Sequence, residues 1–131
     1  MKNFLSEWAP CVLSLLRMVS GLIFLLHGTQ KHLGMPATER VVEPFSLSWT
    51  AGVIEIICGT LLLVGFQSRA AAFVSYGLMA FAYWIAHAPR DVFPTNNGGD
   101  AAILYCFVFL YIVFAGPGPW SVDALLEKSR K

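Results

Sequence analysis

The sequence has few charged residues. Of its 131 residues only 13% are charged and 56% are apolar, whereas a typical soluble domain has about 25% charged residues. Residues 70–88 and 101–118 contain no Asp, Glu, Lys or Arg, and residues 48–63 contain only Glu55. Helices of a soluble protein need a polar face toward water. The composition therefore indicates an integral membrane protein.

The sequence lacks the motifs that are typical of several functional classes. The net charge of +1 does not favour nucleic acid as a partner. Cys11, Cys58 and Cys106 are isolated, without CxxC spacing, and no HExxH motif, nucleotide-binding glycine loop or serine–histidine hydrolase motif is present. A haem or metal site is therefore not expected. The N-terminus does not resemble a cleaved signal peptide, so the first helix is expected to remain in the mature protein.

Long apolar stretches are what the sequence has instead. Spanning the hydrocarbon core takes about 20 residues, and four stretches approach that length: residues 11–31, 48–66, 69–88 and 99–115. The prediction is an all-α integral membrane four-helix bundle, with residues 1–131 forming a single domain. Ser121 can cap a further short helix whose Leu125 and Leu126 would face the lipid boundary, which predicts a C-terminal interfacial helix.

Basic residues give the predicted orientation. Four spans place both termini on one side of the membrane, and the flanks on that side carry Lys2, Arg69, Lys128, Arg130 and Lys131. The opposite flanks carry Lys31, Arg40 and Arg90. The positive-inside rule then places both termini in the cytoplasm. We expect a multi-pass protein of the cell membrane, of the bacterial inner-membrane type.

Ionisable residues within the spans are the candidate functional residues. Each costs about 2.5–3.5 kcal/mol at mid-membrane, so such residues are rare and commonly functional. At about 1.5 Å per residue, most of them are expected at the non-cytoplasmic end, with Arg17 deeper along the first span. Gln30 lies beside Lys31 on the same helix. The candidates are Arg17, His27, Lys31, Glu55, His87 and Asp100.

Each candidate has a structural alternative. A buried Glu55 needs a cation, and its depth favours His27 or Lys31 over Arg17 as the partner. Glu55 can equally make a structural hydrogen bond between helices. Lys31 can snorkel to the interface, and Arg17 can snorkel toward the cytoplasmic side or join helices. His87 and Asp100 can be ordinary interfacial residues.

Four segments resemble the DoxX family: RMVSGLIFLLHGTQKHLG, GVIEIICGTLLLVGFQSRAAA, HAPRDVFPTNNGGDAAIL and GPGPWSVD. The resemblance implies a four-helix membrane protein related to the membrane subunit of thiosulfate:quinone oxidoreductase. Asp100 stands where glutamate is more usual, and the loop after the first span is longer. The family's motif residues correspond here to Arg17, His27, Gly28, Lys31, Glu55, Gly59, Arg69, Gly98, Asp100, Ser121 and Asp123.

Two functional hypotheses follow. In the first, the protein is a quinone-linked redox subunit, with quinone as the cofactor and a redox partner protein or a second copy of the chain in the bilayer. Glu55, His27 and Lys31 would then be catalytic, because they can bind quinone oxygens and move protons. Arg17, Gln30, His87 and Asp100 would bind the ligand. In the second, the protein is a non-catalytic scaffold, assembly factor or small-solute carrier.

Overall fold

The computed structural model describes residues 3–131, and they form six α-helices and no strand. This confirms the all-α prediction. The helix bounds are α1 Phe4–Leu33, α2 Leu47–Val64, α3 Ser68–Ala82, α4 Pro94–Asn97, α5 Asp100–Ala115 and α6 Val122–Ser129. A π-helical turn, Tyr83–His87, continues α3 without a break.

Three of these helical segments are long and apolar enough to cross a membrane: α1, α2 and the continuous Ser68–His87. The fourth predicted span, residues 99–115, corresponds to α5, which is apolar but has only 16 residues. Glycines flank α5 on both sides. Gly98 and Gly116 take positive φ angles of 70° and 86°, which end helical structure readily. The structure therefore has three helices of spanning length and a shorter apolar one.

The remaining helix ends follow local sequence signals. Ser46 and Ser121 cap α2 and α6, because their hydroxyls accept the backbone N–H groups of Trp49 and Ala124. The prediction that Ser121 begins a short C-terminal helix is confirmed. Gly65 ends α2 in the left-handed conformation and leaves only two residues before α3. This tight turn makes α2 and α3 antiparallel neighbours.

Small residues bring α1 and α2 close together. A Cβ on Gly28 would lie 2.7 Å from the carbonyl oxygen of Gly52, and a Cβ on Gly59 would lie 2.6 Å from the backbone nitrogen of Leu25. Glycine is the residue that permits such close helix packing in membranes. On the other side α3 packs against α5. Aromatic side chains fill the seam between α1 and α5, with Phe24 and Phe109 ring centroids 4.9 Å apart.

The outer surface of the bundle is apolar, unlike that of a soluble protein. Large apolar side chains are exposed along every long helix, for example Val19 on α1, Phe73 on α3 and Phe107 on α5. A surface of this kind fits a lipid environment. The interior holds apolar side chains, such as Phe24 and Phe109, together with several polar ones. The buried polar residues are Ser14, Arg17, Ser20, Glu55, Ser68, Ser75, Asn97 and Ser121.

Candidate functional site at the Glu55 cluster

Glu55 is buried inside the helix bundle. It lies on the inward face of α2, between Gly52 and Gly59, and only 4% of its surface is exposed. The two glycines pack against α1. Because they draw α1 close, the carboxylate meets side chains from the last turns of α1. A charged group so far from water needs a compensating partner.

That partner is Lys31. Its Nζ lies 2.8 Å from Oε1 of Glu55, and the two side chains are 19% and 5% exposed. Lys31 lies in the last turn of α1, whereas α2 enters the bundle from the same end with Glu55 about two turns along. The opposite directions of the two helices therefore bring the residues to the same depth. Of the cations that the sequence offered to Glu55, the structure selects Lys31.

The second carboxylate oxygen of Glu55 has no partner within residues 3–131. Oε2 is buried and accepts no hydrogen bond from the described residues. A carboxylate offers about four acceptor positions, and a buried acceptor left unsatisfied costs about 1–3 kcal/mol. The ion pair with Lys31 occupies one oxygen and leaves the other available. This oxygen is the unsatisfied acceptor of the cluster.

Two histidines flank the pair within electrostatic reach of Glu55. His32 is held by its Nε2, 2.9 Å from the carbonyl oxygen of Trp49, and by edge contact with the Trp49 indole. His27 is exposed, and its ring meets the edge of Tyr105 from α5 at 6.4 Å between centroids. Glu55, Lys31, His27 and His32 are called the Glu55 cluster below.

His32 was not among the sequence-based candidates, although it directly follows Lys31. At the end of a helix, a histidine is commonly an ordinary interfacial residue. The sequence signal that could have identified it is its position one turn after Gly28, on the face of α1 that packs against α2. Gly52 is the residue that makes room for it, because a Cβ there would lie 2.7 Å from the His32 ring. Gln30 lies outside the cluster, where its side-chain amide donates to the carbonyl oxygen of Pro36 at 3.4 Å.

His87 and Asp100 belong to a separate loop network. The His87 Nδ1 lies 3.1 Å from the carbonyl oxygen of Asn97. Asn97 is buried, donates to the carbonyl oxygen of Asp91 at 3.0 Å and accepts the N–H of Gly99 at 2.8 Å. Asp100 is exposed, and its carboxylate accepts the adjacent N–H of Ala101. No hydrogen bond in the described chain connects either residue to Glu55.

Arg17 lies at the opposite end of the bundle. Its guanidinium, fully buried, donates to the carbonyl oxygens of Leu62 and Leu63 at the end of α2 and to those of Pro117 and Trp120 after α5. Cations at a helix C-terminus stabilise the unpaired carbonyls there. The structure therefore keeps Arg17 apart from the Glu55 cluster.

Asp123 and Arg69 reinforce this end. The Asp123 carboxylate accepts the backbone N–H groups of Gln67 and Ser68 at 2.8 and 2.9 Å, so it caps α3 from a distant part of the chain. Arg69 donates to the carbonyl oxygens of Val113 and Phe114 at the end of α5. Arg17, Arg69 and Asp123, with the backbone groups they bind, are called the Arg17 clasp below.

Metal ligands do not gather in the described structure: residues 3–131 contain no group of three or more His, Cys, Asp or Glu side chains able to hold a metal ion. The Glu55 cluster combines one carboxylate, one ammonium and two imidazoles. Such a set can bind the polar head of an apolar molecule and can accept or donate protons.

Comparison with known proteins gives one family match and two relatives. The DoxX family matches residues 12–88. An uncharacterized protein of Haemophilus influenzae is 40% identical over 129 residues, which cover 92% of this chain and 95% of that protein. An uncharacterized membrane protein of Mycobacterium tuberculosis is 33% identical over 150 aligned residues, which cover 94% of this chain and 85% of that protein. No solved structure matches the chain.

Proposed function

Because the chain belongs to the DoxX family of membrane proteins, we propose that it is a quinone-binding subunit of a membrane oxidoreductase system. The observation that carries this proposal is the buried Oε2 of Glu55, which has no partner among residues 3–131 and lies within electrostatic reach of a lysine and two histidines. Quinone reduction to hydroquinone takes two electrons and two protons. A partner protein supplies the electrons, and the Glu55 cluster binds the headgroup and handles protons.

The proposal assigns α5 as a fourth membrane span. It is about 24 Å long at 1.5 Å per residue, a little shorter than the hydrocarbon core of about 30 Å, and it carries no charge between Ala101 and Ala115. It packs along α3, which together with the π-helical turn forms the continuous segment Ser68–His87 of spanning length. With four spans both termini lie on one side, and the basic tail places that side in the cytoplasm. The Glu55 cluster then faces the opposite side.

A structural role is the second candidate function. The Lys31–Glu55 ion pair joins α1 to α2 where glycines bring the two helices together. In a scaffold or assembly factor this pair would fix helix packing and bind nothing. The two functions differ in one respect that can be measured, namely whether the cluster binds a ligand when the fold is intact.

The test uses the purified full-length protein in mild detergent. Co-purifying molecules are identified by mass spectrometry, and a short-chain quinone is titrated while tryptophan fluorescence is recorded, since Trp49 contacts the cluster through His32. We expect the double variant Lys31→Met/Glu55→Gln to bind the quinone at least 10-fold more weakly than the wild type. Removing both charges keeps the variant folded, because no unpaired charge is left buried.

The matched control is Lys131→Met/Glu127→Gln. These residues form an exposed pair on α6 with 3.6 Å between charged atoms, so the same chemical change is made away from the cluster. The control should bind quinone like the wild type. Equal binding by all three proteins, or no quinone binding by a folded wild type, would refute the quinone role and leave the structural one.

A further inference from the structure

We propose that the Glu55 cluster recognises its ligand through a hydroxyl group on that ligand, and so binds a hydroquinone in preference to the matching quinone. This inference rests on the proposed function and specifies the form of the ligand that the site takes. It concerns binding alone, and no bond is made or broken.

The hydrogen-bonding character of Glu55 sets this preference. As the anionic partner of Lys31, Glu55 accepts hydrogen bonds and donates none. Its Oε2 is buried without a partner among the described residues, while Oε1 is held by Lys31 at 2.8 Å. This unsatisfied acceptor therefore needs a hydrogen-bond donor. A hydroquinone carries two O–H donors, whereas a quinone carries only carbonyl acceptors.

The groups around Glu55 do not supply that donor. His32 is engaged with the carbonyl oxygen of Trp49, and the Lys31 ammonium is on the other carboxylate oxygen. A quinone carbonyl can accept one of the other N–H groups of Lys31, but Oε2 would still be unsatisfied. A hydroxyl on the ligand satisfies Oε2 and leaves the ion pair in place. Charge-assisted hydrogen bonds of this type are roughly twice as strong as neutral ones.

The surroundings of His27 provide a place for the apolar part of the ligand. This residue is exposed on α1, against Tyr105 of α5. The helices α1 and α5 meet chiefly through side chains, with Phe24 packed on Phe109 and Tyr105. Because His27 is exposed, a molecule dissolved in the bilayer can contact the cluster at His27 while its apolar part stays in lipid.

The experiment compares two molecules that differ in a single donor: 4-heptylphenol and its methyl ether, 4-heptylanisole. Both are measured by equilibrium dialysis against the full-length protein in detergent micelles, with empty micelles subtracted for partitioning. A short-chain quinone and its hydroquinone are compared in the same way without oxygen. We expect the phenol to bind at least 10-fold more tightly than the ether, and the hydroquinone more tightly than the quinone.

Two variants make the result specific. Lys31→Met/Glu55→Gln should bind phenol and ether alike, and Lys131→Met/Glu127→Gln should keep the wild-type preference. If quinone binds in a Glu55-dependent way but the phenol has no advantage over the ether, the proposed function stands and this inference is wrong. A preference for the quinone would also overturn it, because Glu55 would then be a protonated donor. If no molecule binds, both proposals fail.

Discussion

The two ends of the bundle each bury a charged side chain, but they use its hydrogen-bonding groups differently. Arg17 directs four of its five N–H donors at backbone carbonyls, so most of them are used by the protein itself. Glu55 gives one oxygen to Lys31, and the other has no partner in the part of the chain that the structure describes. The backbone bonds of Arg17 stabilise the fold, whereas the unsatisfied oxygen of Glu55 is the position that the proposed binding requires. The cost of a buried charge alone does not distinguish structure from function.

The largest expected effect is on the stability of the Arg17 clasp. Arg17→Met leaves four carbonyls without their donor, including two at the end of α2, and we expect it to lower the free energy of unfolding by about 3–5 kcal/mol. Thermal unfolding in detergent measures this, with Arg130→Met in the exposed tail as the control. If the two variants melted alike, the clasp would not be a structural element.

The next effect concerns the Lys31–Glu55 pair. Glu55→Gln alone should destabilise the protein by about 2–4 kcal/mol, because Lys31 loses its counterion and is only partly able to reach water. Lys31→Met/Glu55→Gln should recover most of that loss. A double variant as unstable as Glu55→Gln would contradict this and would indicate a purely structural network around Glu55. The same unfolding assay gives both values.

The smallest expected effect, on the cap of α3, tests whether the two ends of the bundle act independently. Asp123→Ala removes the cap on the Gln67 and Ser68 N–H groups and should cost about 1–2 kcal/mol, without changing quinone binding at the Glu55 cluster. Glu127→Ala, one turn further along α6, is the matched control and should change neither. Loss of quinone binding in a folded Asp123→Ala protein would mean that the two ends are coupled.

The sequence predicted much of the Glu55 end, because the depth of a residue in the membrane can be estimated from its position along its helix. Counting residues along two antiparallel helices was enough to place Glu55 near Lys31 and His27 and away from Arg17. The Arg17 clasp could not be found in this way. Its acceptors are backbone carbonyls 45 to 103 residues further along the chain, and a carbonyl has no signature in a sequence.

The His87 region shows a related difficulty. His87 and Asp100 fall at the predicted end of the bundle that holds Glu55, so the sequence grouped all three. In the structure the π-helical turn Tyr83–His87 and the short α4 intervene, and His87 turns to the backbone of Asn97. A π-turn adds one residue to a helical turn and changes the direction of the side chains after it. Periodicity alone does not predict that change.

The sequence by itself determined that this protein is helical, lies in a membrane and belongs to the DoxX family. Those properties depend on composition, on the length of apolar runs and on motif order. The tertiary structure decided which hydrogen-bonding groups of the buried charged side chains have partners in the protein, since that depends on where distant carbonyls and side chains meet. Arg17 and Glu55 are equally improbable residues in an apolar chain. Only the positions of their partners show that Arg17 joins distant backbone segments, whereas Glu55 keeps a buried acceptor that none of the described residues satisfies.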